Sequence, residues 1–361
     1  MPTQKTQPAD LAGCSAVLPV AEIVAIVREW VDLHARHLPD FAGAYLWGGI
    51  TALPPDAPFH LYRDVDVVVV LTQGAQDDNL EVLYRGLLLE VISKNLEAHQ
   101  DAEAVLANPS DGPNIATTQI LADPTGVLVP LHQAVAADYR RRRWIRARCE
   151  AEKASADQQL ATMRQVSNPI NSHEPFWPVW LLLSALSGLL AVAQLKRPTT
   201  RRTLTLLREL LEAHGRPDLH EAALALMGCT HMGRADVQAL LDQSVIAFER
   251  AVAVYQTPIP FGFMMRAHLR PYVADATQEM IDEGNHREAM FWISCHDTPY
   301  LVLQNDAPDA EKPVFAAQLQ AMLAALGYTS AEAWAERVAA AERLTQEIYS
   351  IADTLVALHP E

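Results

Sequence analysis

The stretch WGGITALPPDAPFHLYRDVDVVVVL, residues 47–71, decides how the rest of the chain reads. Its second half, DVDVVVVL (64–71), is β-branched and apolar on both faces, the pattern of a strand buried at the centre of a sheet. Side chains alternate along a strand, so Asp64 and Asp66 project from one face. Two carboxylates side by side repel each other and suit a hard divalent cation with oxygen ligands, Mg²⁺ above all. Upstream, AYLW (44–47) reads as a short strand broken by Gly48-Gly49. A glycine turn lets the backbone approach a ligand and offers amide N–H groups to phosphates. Downstream, LLLEVIS (87–93) follows Gly86 and reads as another strand, with a helix as the alternative. As a neighbour of 64–71 it supplies Glu90 as a third carboxylate.

This arrangement resembles the DNA polymerase β-like nucleotidyltransferase superfamily, whose signature is an apolar residue, Gly-Gly or Gly-Ser, a gap, and Asp-apolar-Asp-apolar on a strand. Trp47-Gly48-Gly49 and Asp64-Val65-Asp66-Val67 match it, and Glu90 matches the acidic residue expected on a following strand. The gap of 14 residues (50–63) is slightly longer than usual, Arg63 stands where Ser is common, and Gly49 replaces the Ser variant. The resemblance covers about residues 20–125, and a mixed domain followed by helices looks like the aminoglycoside nucleotidyltransferase branch. It implies that Asp64, Asp66 and Glu90 are both the catalytic residues and the ligands of two Mg²⁺ ions, and that Gly48 and Gly49 cradle the phosphates of an NTP. The implied reaction moves a nucleoside monophosphate, AMP being the expected nucleotide, to a hydroxyl of a small-molecule acceptor, with pyrophosphate leaving. A protein acceptor is the other option. A non-catalytic nucleotide- or partner-binding protein on the same fold is the alternative function.

The remainder of the chain fits around this motif. Its 361 residues suffice for two domains, and 50% hydrophobic content excludes a disordered protein. The net charge of −16 disfavours duplex nucleic acid as a partner. Charge is uneven: residues 1–138 carry net −12, residues 139–216 net +8, and residues 217–361 net −12. A basic middle between acidic ends suggests an anion at a junction. Arg140 to Arg143, Arg146 and Arg148 cannot share one helix face, so only a subset can meet a phosphate, with a solvated helix face as the alternative. Lys196, Arg197, Arg201 and Arg202 either reach an anion or form the wet ends of two helices. Cys14, Cys149, Cys229 and Cys295 show no CxxC spacing, which excludes a zinc ribbon and argues against a disulfide framework. His34 and His37 have no third ligand partner and read as a surface pair; Cys295-His296 reads as a helix end.

The expected fold is α+β: an N-terminal nucleotidyltransferase domain with a small mixed sheet (1–138), a helical connector (139–168) ending near Asn168-Pro169, and an all-α domain (169–361). Residues 21–37 and 95–107 read as helices and VLVPL (127–131) as a short strand. Later helices are expected near 176–195, 201–214, 218–228, 234–256, 268–284, 286–304, 313–326 and 330–358, with Asp218, Asn285 and Ser330 as N-caps. The apolar run 176–195 approaches the ~20 residues of a membrane span; small and polar residues within it (Ser184, Ser187, Gly188, Gln194) favour a buried core helix instead, so no membrane contact is expected. No secretory signal is visible, which points to the cytoplasm. Catalysis is expected between the domains.

Overall fold

The computed structural model describes residues 17–75, 79–168, 174–295 and 297–361; Cys14, Pro169 and His296 lie outside the described residues. In chain order the elements are β1 (Val17–Pro19), α1 (Val20–Leu33), β2 (Phe41–Leu46), β3 (Pro58–His60), β4 (Asp64–Leu71), β5 (Leu80–Tyr84), β6 (Leu87–Asn95), α2 (Ala102–Ala107), α3 (Asp111–Thr117) and β7 (Ile120–Ala122). Helices follow: α4 (Leu128–Asp138), α5 (Arg142–Gln165), α6 (Phe176–Ala193), α7 (Thr203–Glu212), α8 (Pro217–Met227), α9 (Arg234–Val254), α10 (Arg270–Asp282), α11 (His286–Cys295), α12 (Thr298–Asp306), α13 (Lys312–Ala325) and α14 (Ala331–Ala357). The α+β class holds: a small mixed sheet near the N-terminus, then helices.

The chain forms two compact units. The first comprises Met1–Asp101, Thr117–His132 and His268–Ala276, and the second Ala102–Ala116, Gln133–Ala267 and Thr277–Glu361. In the first, five strands form a sheet in the order β5-β6-β4-β2-β7, and β1 pairs with β3 separately. The pair β4–β6 is parallel and the other pairs are antiparallel. As the unbroken valine run predicts, β4 lies at the centre. Val65, Val67 and Val69 pack with Leu87, Leu89 and Val91 of β6 and with Ile23, Val27 and Trp30 of α1. The helical spacing of Ile23, Ile26, Val27 and Trp30 buries that stripe, while Leu33 at its end is exposed. Asp64 and Asp66 take the opposite face of β4, with Val68 and Val70.

In the second unit α6 is the core helix. It has the length and apolarity of a membrane span, yet 78% of it is buried inside the protein, against α5, α7, α8 and α14. Gly188 makes room for the Glu152 side chain of α5: a Cβ at 188 would stand 2.8 Å from Glu152 Oε1.

Several sequence expectations need correction. VLVPL is not a strand: Leu128 opens α4, and the Asp123 carboxylate accepts N–H bonds from Val127 (3.1 Å) and Val129 (3.0 Å). A side-chain acceptor at the helix start satisfies donors that a helix leaves open, and Pro130 falls in the first turn, where proline is tolerated. Residues 95–107 split into a 3₁₀ turn, Leu96–His99, and α2. The helix expected over 286–304 is two, with Pro299 in the first turn of α12. Ser330 caps α14, accepting from Ala333 N (3.1 Å), whereas α8 starts at Pro217 with Asp218 in its first turn. Asn285 precedes α11, but its Oδ1 accepts from Arg208 (2.8 Å).

Candidate functional site

The antiparallel ladder of β2 and β4 sets Leu46 opposite Val67, and Trp47 N–H donates to the Asp66 carbonyl (2.9 Å). The ladder so carried past β2 delivers Gly48 beside Asp66. Gly48 has φ +71°, and a Cβ there would overlap the Asp66 carboxylate. Both constraints demand glycine. Gly49 is different: it opens the 3₁₀ turn Gly49–Ala52, and a Cβ there meets nothing within 4 Å. The turn is closed by Thr51 Oγ1 donating to the Gly48 carbonyl (3.2 Å). Gly48→Ala is therefore expected to cost about 2–3 kcal/mol of stability through strain and displacement of Asp66, and Gly49→Ala less than about 1 kcal/mol. Urea unfolding of the two variants checks this; equal losses would refute the assignment.

The third carboxylate arrives through the parallel register of β4 and β6, which pairs Asp66 with Glu90. Partnered residues share a face, so Glu90 stands beside Asp66. One oxygen each of Asp64, Asp66 and Glu90 lies within 4.8 Å of the others, all on half-buried side chains. The alternative helix over 87–93 is thereby excluded.

Three nearby groups went unread in the sequence. Glu81 of β5 pairs across the ladder with Glu90, so Asp66, Glu90 and Glu81 form a row over three strands. Asn79 Nδ2 donates to Glu90 Oε1, fixing one oxygen of that carboxylate. Lys94, four residues along β6 from Glu90, places Nζ 4.1 Å from the centre of the Trp47 ring. The residue count Glu90, Ile92, Lys94 was a usable signal for Lys94, since alternate residues share a face. Glu81 and Asn79 needed the hairpin register, which no local pattern reveals.

Chemically, the donor set is all carboxylate oxygen, the kind a hard cation such as Mg²⁺ prefers. Mutual repulsion of three carboxylates makes a divalent cation a favourable neighbour. The residues thus fit a Mg²⁺ site.

The basic segment resolves differently. Arg148 is fully buried, donates to the carbonyls of Leu106 (2.8 Å) and Tyr139 (2.9 Å), and lies 4.3 Å from the Tyr139 ring centre. Burial pulls its guanidinium below the ordinary arginine range. It is a strut of the second unit, not a phosphate ligand. Arg141 and Arg143 pair with Asp138, Arg142 with Glu361, and Arg202 with Glu279 and Glu283. Arg148→Met is expected to cost about 2–4 kcal/mol, because two buried carbonyls lose their donor. Chemical denaturation reads this; a loss below 0.5 kcal/mol, roughly that of an ordinary surface substitution, would refute the strut.

His34 is exposed beside Trp30 and Tyr84, in keeping with a surface pair. Cys149 and Cys229 are buried, and burial pushes each thiol up to about 12, away from nucleophilic chemistry.

No family model matches the sequence, and no curated protein matches it. A solved structure of a nucleotidyltransferase-like protein from Exiguobacterium sibiricum is similar over 73% of this chain and 92% of its own, at 13% identity and a TM-score of 0.32. A likeness that distant transfers no residue roles, and the chemistry of the site rests on its own three carboxylates.

Proposed function

We propose that the protein is a Mg²⁺-dependent nucleotidyltransferase that moves a nucleoside monophosphate, AMP first among candidates, from an NTP to a hydroxyl of a small-molecule acceptor. One observation carries this reading: Asp64, Asp66 and Glu90 converge within 4.8 Å from two paired strands, next to a turn whose Gly48 admits no side chain. Bound Mg²⁺ would offset the triphosphate charge and polarise the reacting oxygens, with two ions as the resemblance implies. The three carboxylates would hold it. The amides of the Gly48-Gly49 turn would meet the phosphates. Glu90, oriented by Asn79, would take the acceptor's proton. The acceptor oxygen then bonds to the α-phosphorus as the bond to the bridging oxygen breaks, and pyrophosphate leaves with that electron pair.

The acidic composition favours a cationic, aminoglycoside-like acceptor over a nucleic acid, with a protein hydroxyl as the other option. Burial of α6 supports action without a membrane, and the cytoplasm is the proposed location. The test is to incubate the protein with α-labelled NTPs, Mg²⁺ and a panel of hydroxylated acceptors. Label on an acceptor, with ATP the best donor, is the expected result. Tight NTP binding with no transfer to any acceptor would select the inert nucleotide-binding alternative, and absence of NTP binding would overturn the reading.

A further inference from the structure

Trp47 and Lys94 stand on the carboxylate face of the sheet and take no part in the chemistry proposed for it. Strand parity puts both there. Trp47 follows Leu46, the partner of Val67, and its N–H donates to the Asp66 carbonyl (2.9 Å), so its side chain shares the face of Asp66. Lys94 partners Val70 in the β4–β6 ladder and shares the face of Glu90, four residues before it. β2 and β6 are not neighbours, because β4 runs between them. The Lys94 side chain nevertheless brings Nζ to 4.1 Å from the Trp47 ring centre, across β4. An ammonium over an indole face is attracted by the ring quadrupole, more strongly than at any other aromatic residue.

This contact is one link of a closed ring. The Tyr45 and Trp47 ring centres lie 6.1 Å apart. Tyr45 and His99 are buried. A carbonyl only accepts, so His99 Nδ1 carries a proton and donates to the Asn95 carbonyl (3.1 Å). In the neutral ring Nε2 is then left to accept from the Tyr45 hydroxyl (3.0 Å). Asn95 follows Lys94 on β6, so Trp47 is tied to that strand by two routes. The next residue is Gly48, which packs so closely on the Asp66 carboxylate that a Cβ would overlap it. A shift of Trp47 therefore shifts the surface that Asp66 rests on. Asp64, Asp66 and Glu90 repel one another, and their convergence within 4.8 Å calls for outside restraint.

We propose that Trp47 and Lys94 are positioning residues of the carboxylate site: their contact straps β2 to β6 over β4 and holds Gly48 and Asp66 where the three carboxylates share one divalent cation. The inference rests on the metal-site reading above and adds two residues that act through Asp66 rather than on the ion.

The sign of one substitution separates this role from plain electrostatics. Lys94 has the same sign of charge as the ion, so loss of its charge alone would tighten cation binding. Loss of the strap loosens it. The test uses the full chain and Mn²⁺, an ion of the same oxygen preference, followed through its free-ion EPR signal and displaced with Mg²⁺. Lys94→Met and Trp47→Leu are each expected to bind about tenfold more weakly than wild type, as when an outer contact of a metal site is lost. The double variant should be no weaker than either single one, because both break one contact. Lys94→Arg keeps a cation over the ring and should stay within about twofold of wild type. Arg36→Gln, which removes a positive charge paired with Asp32 on α1, should change nothing. If Trp47→Leu fails to fold, Lys94→Met and Lys94→Arg decide alone, since both keep a long side chain. Binding by Lys94→Met at or above wild-type affinity, or losses that multiply in the double variant, would overturn the proposal. A wild type that binds no Mn²⁺ would overturn the metal-site reading, and the positioning role with it.

Discussion

Asp66→Asn is expected to lower nucleotidyl transfer on the order of 10³-fold, as loss of a transition-state electrostatic contact does. The substitution is isosteric, so the contact over Gly48 survives and the sheet is undisturbed. What disappears is one of three negative charges held within 4.8 Å. The stability effect therefore has the opposite sign to the activity effect. Without metal, relief of repulsion should raise the melting temperature of the variant, in the manner of a site that trades stability for function. With Mg²⁺ the order reverses, because the wild type binds the ion more tightly and ligand binding stabilises the folded state. Melting with and without Mg²⁺, beside label transfer, reads all three signs. A variant that transfers label at the wild-type rate would remove Asp66 from the chemistry.

Glu152→Gln is expected to stabilise the protein by about 3 kcal/mol at pH 8, and by almost nothing at pH 4.5. Burial against Gly188 of α6 pushes the Glu152 carboxyl from an ordinary 4.5 up to about 7. Its neighbour Lys153 is engaged with Glu150 and Asp353. In the folded state the proton is kept through a window in which the unfolded chain has released it. The contribution of Glu152 to stability is therefore greatest below pH 4.5 and declines as pH rises to about 7, with the deficit constant above. At about 1.4 kcal/mol per pH unit, that window gives the expected gain. Glutamine keeps the shape and removes the charge. Urea unfolding of both proteins from pH 5 to 8.5 should show a difference that widens with pH. A difference independent of pH would mean that packing, not ionisation, sets the effect.

The centre of the sheet was legible because β4 states its environment in its composition: only a strand covered on both faces reads as a run of valines. The carboxylate pair was legible through strand alternation, whereas Glu90 rested on the resemblance and on 87–93 neighbouring 64–71, which the parallel register of β4 and β6 supplies. VLVPL failed for the opposite reason. A short apolar run suits a strand or a helix start equally, and the deciding residue, Asp123, acts from four positions upstream. Arg148 failed because its partners, the carbonyls of Leu106 and Tyr139, are backbone groups that no side-chain pattern announces. Asn79 was invisible on the same ground, since a loop amide meets Glu90 only after the β5–β6 hairpin has formed.

The level pairing of Asp66 with Glu90 has an implication for how such a site can fail. Were β6 to slide by one residue along β4, Glu90 would turn into the apolar layer occupied by Leu89 and Val91, and those leucine and valine side chains would turn out of it. Hydrophobic packing thus proofreads the placement of a charged group it never touches. Misregistered chains are rejected by their own cores before they can present a crippled site. Inactive descendants of this protein should accordingly arise by replacement of a carboxylate on an intact sheet, and folded forms with displaced carboxylates should be absent.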